Sequence, residues 1–191
     1  MFHRLAQQMR LVILDRDGVI NEDSEDFITS PEEWKPIPGS VAAIARLYRA
    51  GYKVVVATNQ SGIGRGLLDM DTLGRIHARM LDSVRKRGGD IDAIFFCPHK
   101  PEDVCVCRKP EPGLLNEIAD RFKMNLNGVY VVGDSERDIV AARRAMALPA
   151  LVRTGNGRKT LKESGELNGV PVFDDLQAFV TALLSGELKT H

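Results

Sequence analysis

Residues 11–20 read LVILDRDGVI, and the fold turns on them. Leu11, Val12, Ile13 and Leu14 form an uninterrupted apolar run, as in strands covered on both faces. The run ends on Asp15 and Asp17, two carboxylates two residues apart. Like charges held this close repel unless a positive species lies between them. The stretch therefore reads as the carboxyl end of a buried strand at which a cation is expected.

Four more runs of the same kind follow: KVVVAT (53–58), AIFFC (93–97), GVYVVGD (128–134) and PALVR (149–153). Helical spacing fills the intervals. Ser40 precedes Val41, Ile44, Leu47 and Tyr48, with Gly51 as the stop. A second helix runs from about Asp71 and buries Leu73, Ile76, Met80 and Val84, ending at Gly88-Gly89. Others carry Leu114, Leu115, Ile118 and Phe122, then Ile139, Ala142 and Ala145, then Leu176, Phe179, Val180 and Leu183. Residues 156–172 read as a loop with a weak helix leading to an edge strand. The alternation predicts an α/β three-layer sandwich around a parallel, Rossmann-like sheet with right-handed crossovers. Neither the gap from Asp17 to Ser40 nor the single helix expected after Thr58 leaves room for a cap domain, so the fold is expected to be capless.

The bounds are plain. The 191 residues suit a single domain, 1–191, with residues 1–10 as an extension ahead of the first strand. Hydrophobic residues make up 43% and charged ones 27%, as in ordinary soluble proteins. Lys plus Arg and Asp plus Glu balance at 26 each, which argues against a nucleic-acid surface such as a DNA 3′-phosphatase needs. No apolar run nears the roughly 20 residues that span a bilayer, and the opening MFHRLAQQMR is no secretory signal. A cytoplasmic protein is expected, monomeric for want of a large apolar surface stripe, with a small molecule as its partner and neither nucleic acid nor membrane.

Ligands of such sheets sit at the carboxyl ends of the strands, and polar residues collect there. The first strand ends on Asp15-Arg16-Asp17-Gly18, the second on Thr58-Asn59-Gln60-Ser61-Gly62, the fourth on Gly133-Asp134; Arg108-Lys109-Pro110 follows the third. Each alone has a bland explanation as a turn, a cap or a solvated charge. Together they fit phosphoryl transfer. Asp15 and Asp134 suit Mg²⁺, a hard ion held by carboxylates, phosphate and water, with Asp17 offering its backbone carbonyl. Lys109 and the Thr58 hydroxyl can bind the phosphoryl oxygens. Asp15 is then free to attack phosphorus, and Asp17 to pass the proton to the leaving alkoxide and take one from water.

DRDG, TNQSG, RKP and GDSERD, taken together, resemble the four motifs of the haloacid dehalogenase superfamily of phosphatases, in the right order over residues 11 to about 155. The resemblance implies a nucleophile at Asp15, an acid/base at Asp17, phosphoryl contacts at Thr58 and Lys109, and Mg²⁺ held by Asp15, Asp17 and Asp134. Asp138 matches the second acid of the last motif, to orient either Lys109 or bound water. Substrate contacts carry over to Arg16, Asn59, Gln60, Ser61 and Ser135, and to Asn21, Asp23, Ser24, Glu25 and Asp26 in the following loop.

A second constellation stands beside these motifs. CPHKPEDVCVC holds Cys97, His99, Cys105 and Cys107, and its three cysteines are all the chain has. Three thiols and an imidazole form a closed tetrahedral Zn²⁺ set, which would pin the loop leading to Arg108 and Lys109. A zinc loop followed by CRKP resembles two branches of the superfamily, heptose 1,7-bisphosphate phosphatases and histidinol-phosphate phosphatases. TNQSGIGRG, PIPGS and RKPEPGLL are similar to the heptose branch, although Ser135 stands where many of its members carry lysine and EDSEDF replaces a His-Gly-Tyr type stretch. A second phosphate would suit Arg65 and Arg108, since guanidinium forks match phosphate oxygens. The expected activity is removal of the 7-phosphate of D-glycero-D-manno-heptose 1,7-bisphosphate. The alternatives are a histidinol-phosphate phosphatase and a zinc-stabilised binding module without activity.

Overall fold

A computed structural model describes residues 9–24 and 27–188. Most of the extension expected over residues 1–10 lies outside them, as do Glu25 and Asp26. Five long strands fall where the apolar runs predict: β1 Arg10–Leu14, β2 Tyr52–Asn59, β3 Ala93–Cys97, β4 Tyr130–Gly133 and β5 Leu148–Val152. A two-residue edge strand, β6 Val172–Phe173, completes the sheet. The order is β3-β2-β1-β4-β5-β6 with every pair parallel, so the chain steps out from the centre in one direction, crosses back and steps out in the other.

The crossovers carry α1 Ser40–Arg49, α2 Ser61–Gly64, α3 Met70–Arg85, α4 Gly113–Phe122, α5 Glu136–Arg144, α6 Gly157–Glu163 and α7 Leu176–Ser185. Strand residues alternate between two cores, because successive side chains point to opposite faces. Val12 and Leu14 of β1 pack with α1, α3 and α7, through Ile44, Met80 and Phe179 among others. Leu11 and Ile13 pack with α4 and α5, through Leu115, Ile118 and Ala142. This is the three-layer sandwich that uninterrupted apolar strands require.

Three sequence expectations need adjustment. Arg10 belongs to β1, not to the extension: it pairs with Tyr52 across the ladder, and its guanidinium lies 4.7 Å from the centre of the Tyr52 ring. The fourth strand starts at Tyr130, because Gly128 sits at φ +79°, in a turn. The segment after β2 holds two helices rather than one, the four-residue α2 ahead of α3. Among the described residues neither gap carries a cap. Among the described residues between Asp17 and α1, the regular structure is one 3-10 turn at Pro31–Glu33 and isolated bridges at Asp17 and Asn21.

Candidate active site

The ends of β1, β2 and β4 meet the loop after β3 around a cavity of about 200 Å³. Asp15 extends β1 by one step, its amide donating to the Val132 carbonyl at 2.9 Å, so its carboxylate is set at the rim of the sheet. Its neighbours are Lys109, whose Nζ lies 3.1 Å from Asp15 Oδ1 and 2.6 Å from Asp138 Oδ1. The same ammonium donates to the Ala57 carbonyl at 2.8 Å, which ties it to β2. Lys109 is 3% exposed, deep enough for each of these contacts to count.

Carboxylate oxygens of Asp15, Asp134 and Asp138 lie within 4.8 Å of one another, and one lysine cannot balance them. Burial, then the Asp138 and Asp17 charges, push Asp15 up to about 7 even with Lys109 beside it. Burial, then Asp138 and Asp15, push Asp134 up to about 8. Burial would raise Asp138 as well, but Lys109 and the Ser135 hydroxyl outweigh it and hold that carboxyl below its ordinary value. Lys109 is itself raised: burial opposes its charge, and Asp138 and Asp15 more than compensate. A second cation among Asp15 and Asp134 would relieve the imbalance, and an all-oxygen donor set suits a hard ion. Gly18 makes the close approach feasible. It sits at φ +79°, and a Cβ there would stand 2.0 Å from Asp134 Oδ2.

Asp17 is held differently. Its Oδ1 accepts from Arg16 Nε at 3.0 Å and Asn21 Nδ2 at 2.9 Å, its Oδ2 from Arg16 Nη2 at 2.9 Å and Gln60 Nε2 at 2.8 Å. Burial would raise its pKa, yet the Arg16 charge and the Asn21 and Gln60 hydrogen bonds prevail and lower it. Gln60 also donates to Thr58 Oγ1 at 2.9 Å, joining β1 and β2 across the cavity floor.

Most residues singled out in the sequence face this cavity. Asp15, Arg16, Asp17 and Asp134 line it with Thr58, Asn59, Gln60 and Ser61, and Asp23, Ser24, Arg108 and Lys109 form the rest of the predicted wall. Several are occupied by the protein itself. The Arg16 guanidinium is 1% exposed and bound to Asp17 and Gln60. Asn59 pairs with the Lys109 backbone, donating to its carbonyl at 3.0 Å and accepting from its amide at 3.1 Å, so it anchors the lysine loop. Ser135 does not line the cavity. Its hydroxyl caps α5 and donates to Asp138 Oδ2 at 2.5 Å. Arg65 also lies elsewhere, on the surface 3.8 Å from Glu102. Glu25 and Asp26 lie outside the described residues.

The sequence reading missed Arg137, Phe27 and Ile28 on the wall, and Asn156. The Asn156 amide donates to Asp134 Oδ2 at 2.7 Å, while its side chain reaches Asp23 at 2.8 Å. Arg137 had a signal, since it follows the last Gly-Asp by three residues on the first turn of a helix pointing at the strand ends. Phe27 and Ile28 had one too, as the end of the EDSEDF loop and the residue after it, whereas Asn156 had none, because tertiary contact alone brings it to Asp134.

The cysteine loop forms a separate cluster. Cys97 Sγ lies 3.5 Å from His99 Nδ1, 3.8 Å from Cys105 Sγ and 3.2 Å from Cys107 Sγ, and His99 Nδ1 lies 3.3 Å from Cys107 Sγ. Four donors around one tetrahedral Zn²⁺ with Zn–S near 2.3 Å would be about 3.8 Å apart, so the set fits with little movement. Burial and the neighbouring Cys107 thiol push Cys97 up to about 12, a penalty on the thiolate that a bound cation would remove. The loop leads directly into Arg108, whose Nη1 donates to the His99 carbonyl at 3.1 Å.

Comparison with known proteins agrees with this geometry. Residues 106–179 match the family model described as HAD-hydrolase-like, the class the parallel sheet and its carboxylate-lysine cluster define. The chain is 54% identical over 176 residues to D-glycero-β-D-manno-heptose-1,7-bisphosphate 7-phosphatase from Bordetella bronchiseptica, covering 92% of this chain and 98% of that protein. It is 51% identical over 174 residues to the Pseudomonas aeruginosa protein of the same name, covering 91% and 97%. Among solved structures, D,D-heptose 1,7-bisphosphate phosphatase from B. bronchiseptica, complexed with magnesium and phosphate, superposes with a TM-score of 0.92 at 53% identity, covering 93% of this chain and 99% of that one. The Burkholderia thailandensis protein does so with a TM-score of 0.74 at 48% identity, covering 92% and 99%. The chain belongs to the D-glycero-β-D-manno-heptose-1,7-bisphosphate 7-phosphatase family and is a phosphoric monoester hydrolase.

Proposed function

We propose that the protein removes the 7-phosphate of a heptose 1,7-bisphosphate through a phosphoryl-enzyme on Asp15. The observation that carries this substrate class is the pair of guanidinium groups on the cavity wall. Arg108 and Arg137 both face the cavity, and burial, then the Arg137 charge, disfavour the Arg108 cation. An anion between them relieves that repulsion, and guanidinium forks suit phosphate oxygens. A bisphosphate brings a second phosphate to this position; histidinol phosphate brings a cation. The names of the relatives support the same choice.

Asp15, held by Lys109 at the strand end, attacks phosphorus, and Lys109 with the Thr58 hydroxyl steadies the charge on the phosphoryl oxygens. Asp17 delivers a proton to the departing sugar oxygen and then takes one from the attacking water. In the resting site Asp17 is a carboxylate, as the second half requires. A phosphate dianion arriving beside it raises its proton affinity, which prepares it for the first half. Asp15, Asp134 and the Asp17 backbone carbonyl would hold Mg²⁺, which shields the approach of the carboxylate to the phosphate dianion and neutralises charge as the bond breaks. Asp138 acts by fixing Lys109. Cys97, His99, Cys105 and Cys107 would hold a structural Zn²⁺ that sets the path of the loop to Arg108 and Lys109. A thiol-rich metal loop suits a reducing compartment, and we place the protein in the cytoplasm as a monomer. Among the described residues no helix is long and apolar enough to cross a membrane.

The test is phosphate release with Mg²⁺ on heptose 1,7-bisphosphate and on histidinol phosphate in parallel. A kcat/KM at least about a hundredfold higher for the bisphosphate is expected. Equal values, or a preference for histidinol phosphate, would contradict the reading.

A further inference from the structure

One buried titratable side chain has no part in the steps above. His77, on α3, is 9% exposed, and its Nε2 lies 3.3 Å from Arg16 Nη1. A guanidinium carries only donors, so Nε2 must accept, which fixes the neutral ring with its proton on Nδ1. Burial, then the Arg16 charge, push His77 down to about 4, in keeping with a neutral imidazole. Phe96 of β3 stands edge-on to the imidazole at 6.1 Å between centroids and 61° between planes, so the orientation of the ring is set from a second element.

Arg16 is the link to the chemistry. Its Nε and Nη2 grip the two oxygens of Asp17, and Nη2 also reaches Gln60 Oε1 at 3.0 Å. The remaining arm, Nη1, meets His77. A planar fork clamped on one edge by a carboxylate can still swing about that edge. A contact on the opposite arm removes this freedom, and small misplacements of a reacting group are expensive in rate. From this geometry we infer that His77 is a positioning residue for proton transfer: it holds the Arg16 guanidinium in the plane that directs the Asp17 carboxylate toward the cavity. The inference rests on the reading of Asp17 as the acid/base and adds a third residue behind it, from an element that contributes nothing to the cavity wall.

The test is steady-state kinetics of the full chain with Mg²⁺ on the sugar bisphosphate. His77→Leu keeps the bulk and removes the acceptor. It is expected to lower kcat about tenfold with KM within twofold of wild type. His77→Gln, whose amide oxygen can take the place of Nε2, is expected to restore kcat to within about threefold of wild type. In an Arg16→Met background His77→Leu should have no further effect, because the link is already cut. Should the leucine variant not fold, His77→Asn serves in its place, being polar but too short to reach Nη1. Wild-type kcat in His77→Leu beside an inactive Asp17→Asn would overturn the inference alone. So would equal losses in the leucine and glutamine variants, or additive losses in the Arg16→Met background, since a purely structural histidine behaves that way. A fully active Asp17→Asn would instead overturn the acid/base reading, and the positioning role with it.

Discussion

Two clusters of metal-binding character lie a few residues apart at the same edge of the sheet, and they are built on opposite plans. The cysteine loop offers four donors at tetrahedral spacing, which leaves no room for a fifth ligand. The carboxylate cluster offers three acids, one lysine and an open cavity. The first set is complete once an ion is bound. The second remains short of positive charge and faces the space where a phosphate would enter. A closed set can only hold the chain in place; an open, charge-mismatched one can do chemistry. The two meet at Arg108-Lys109, which follow Cys107 directly in the chain.

The contrast is broken most severely at Asp15. Asp15→Asn should lower kcat by about 10⁴ or more while the melting temperature stays within a few degrees, because it removes the carboxylate proposed to attack phosphorus and also one of three crowded acids. Phosphate-release assays and thermal melts of the same sample check both halves. Lys109→Met comes next and should damage both rate and fold. It leaves Asp15 and Asp138 buried without their countercharge, a loss of about 3–5 kcal/mol by denaturant titration, with kcat down about 10³. Cys107→Ser acts on the closed cluster. It should lower zinc content and melting temperature clearly but kcat only about tenfold, since Asp15 and Asp17 are untouched. Loss of rate without loss of stability would put the cysteine loop in the chemistry and erase the distinction.

The smallest effect is a pH dependence. In the cation-free protein Asp15 is pushed up to about 7 and Asp134 to about 8, against an ordinary 3.8. The folded state therefore holds protons that the unfolded chain releases. Stability from these groups is present below about pH 4 and is lost as pH rises through 7 to 8. Mg²⁺ binds the ionised carboxylates, so the rise in melting temperature on adding it should be larger at pH 8 than at pH 6. A larger rise at pH 6 would contradict the assignment of the ion to these acids.

Much of this was legible in the sequence for a local reason. Apolar runs of four to six residues mark strands buried on both faces, and in a parallel sheet the strand ends bring Asp15, Thr58, Lys109 and Asp134 together whatever their separation in the chain. The cysteine cluster was legible because all four donors lie within eleven residues, at the end of β3 and in the loop after it. What escaped was tertiary. His77 sits on an apolar helix face, indistinguishable by period from Ile76 and Met80. Asn156 meets Asp134 only because the chain returns after β5. The family resemblance makes Ser135 a substrate contact, yet Ser135-x-x-Asp138 is the pattern of a helix capping box, and the structure uses it as one. Loop position suggests Arg65 for a second phosphate, whereas its side chain turns outward to Glu102 and Arg137 lines the cavity with Arg108.

The most direct test of the open cluster as a phosphoryl-transfer site is a crystal structure with Mg²⁺ and beryllium trifluoride, a mimic of a phosphoryl group bonded to a carboxylate. Continuous density from Asp15 to beryllium is expected, with Lys109 Nζ and Thr58 Oγ1 at hydrogen-bond distance from the fluorines. A beryllium trifluoride group bonded to another residue, or absent from the cavity at saturating fluoride, would contradict it.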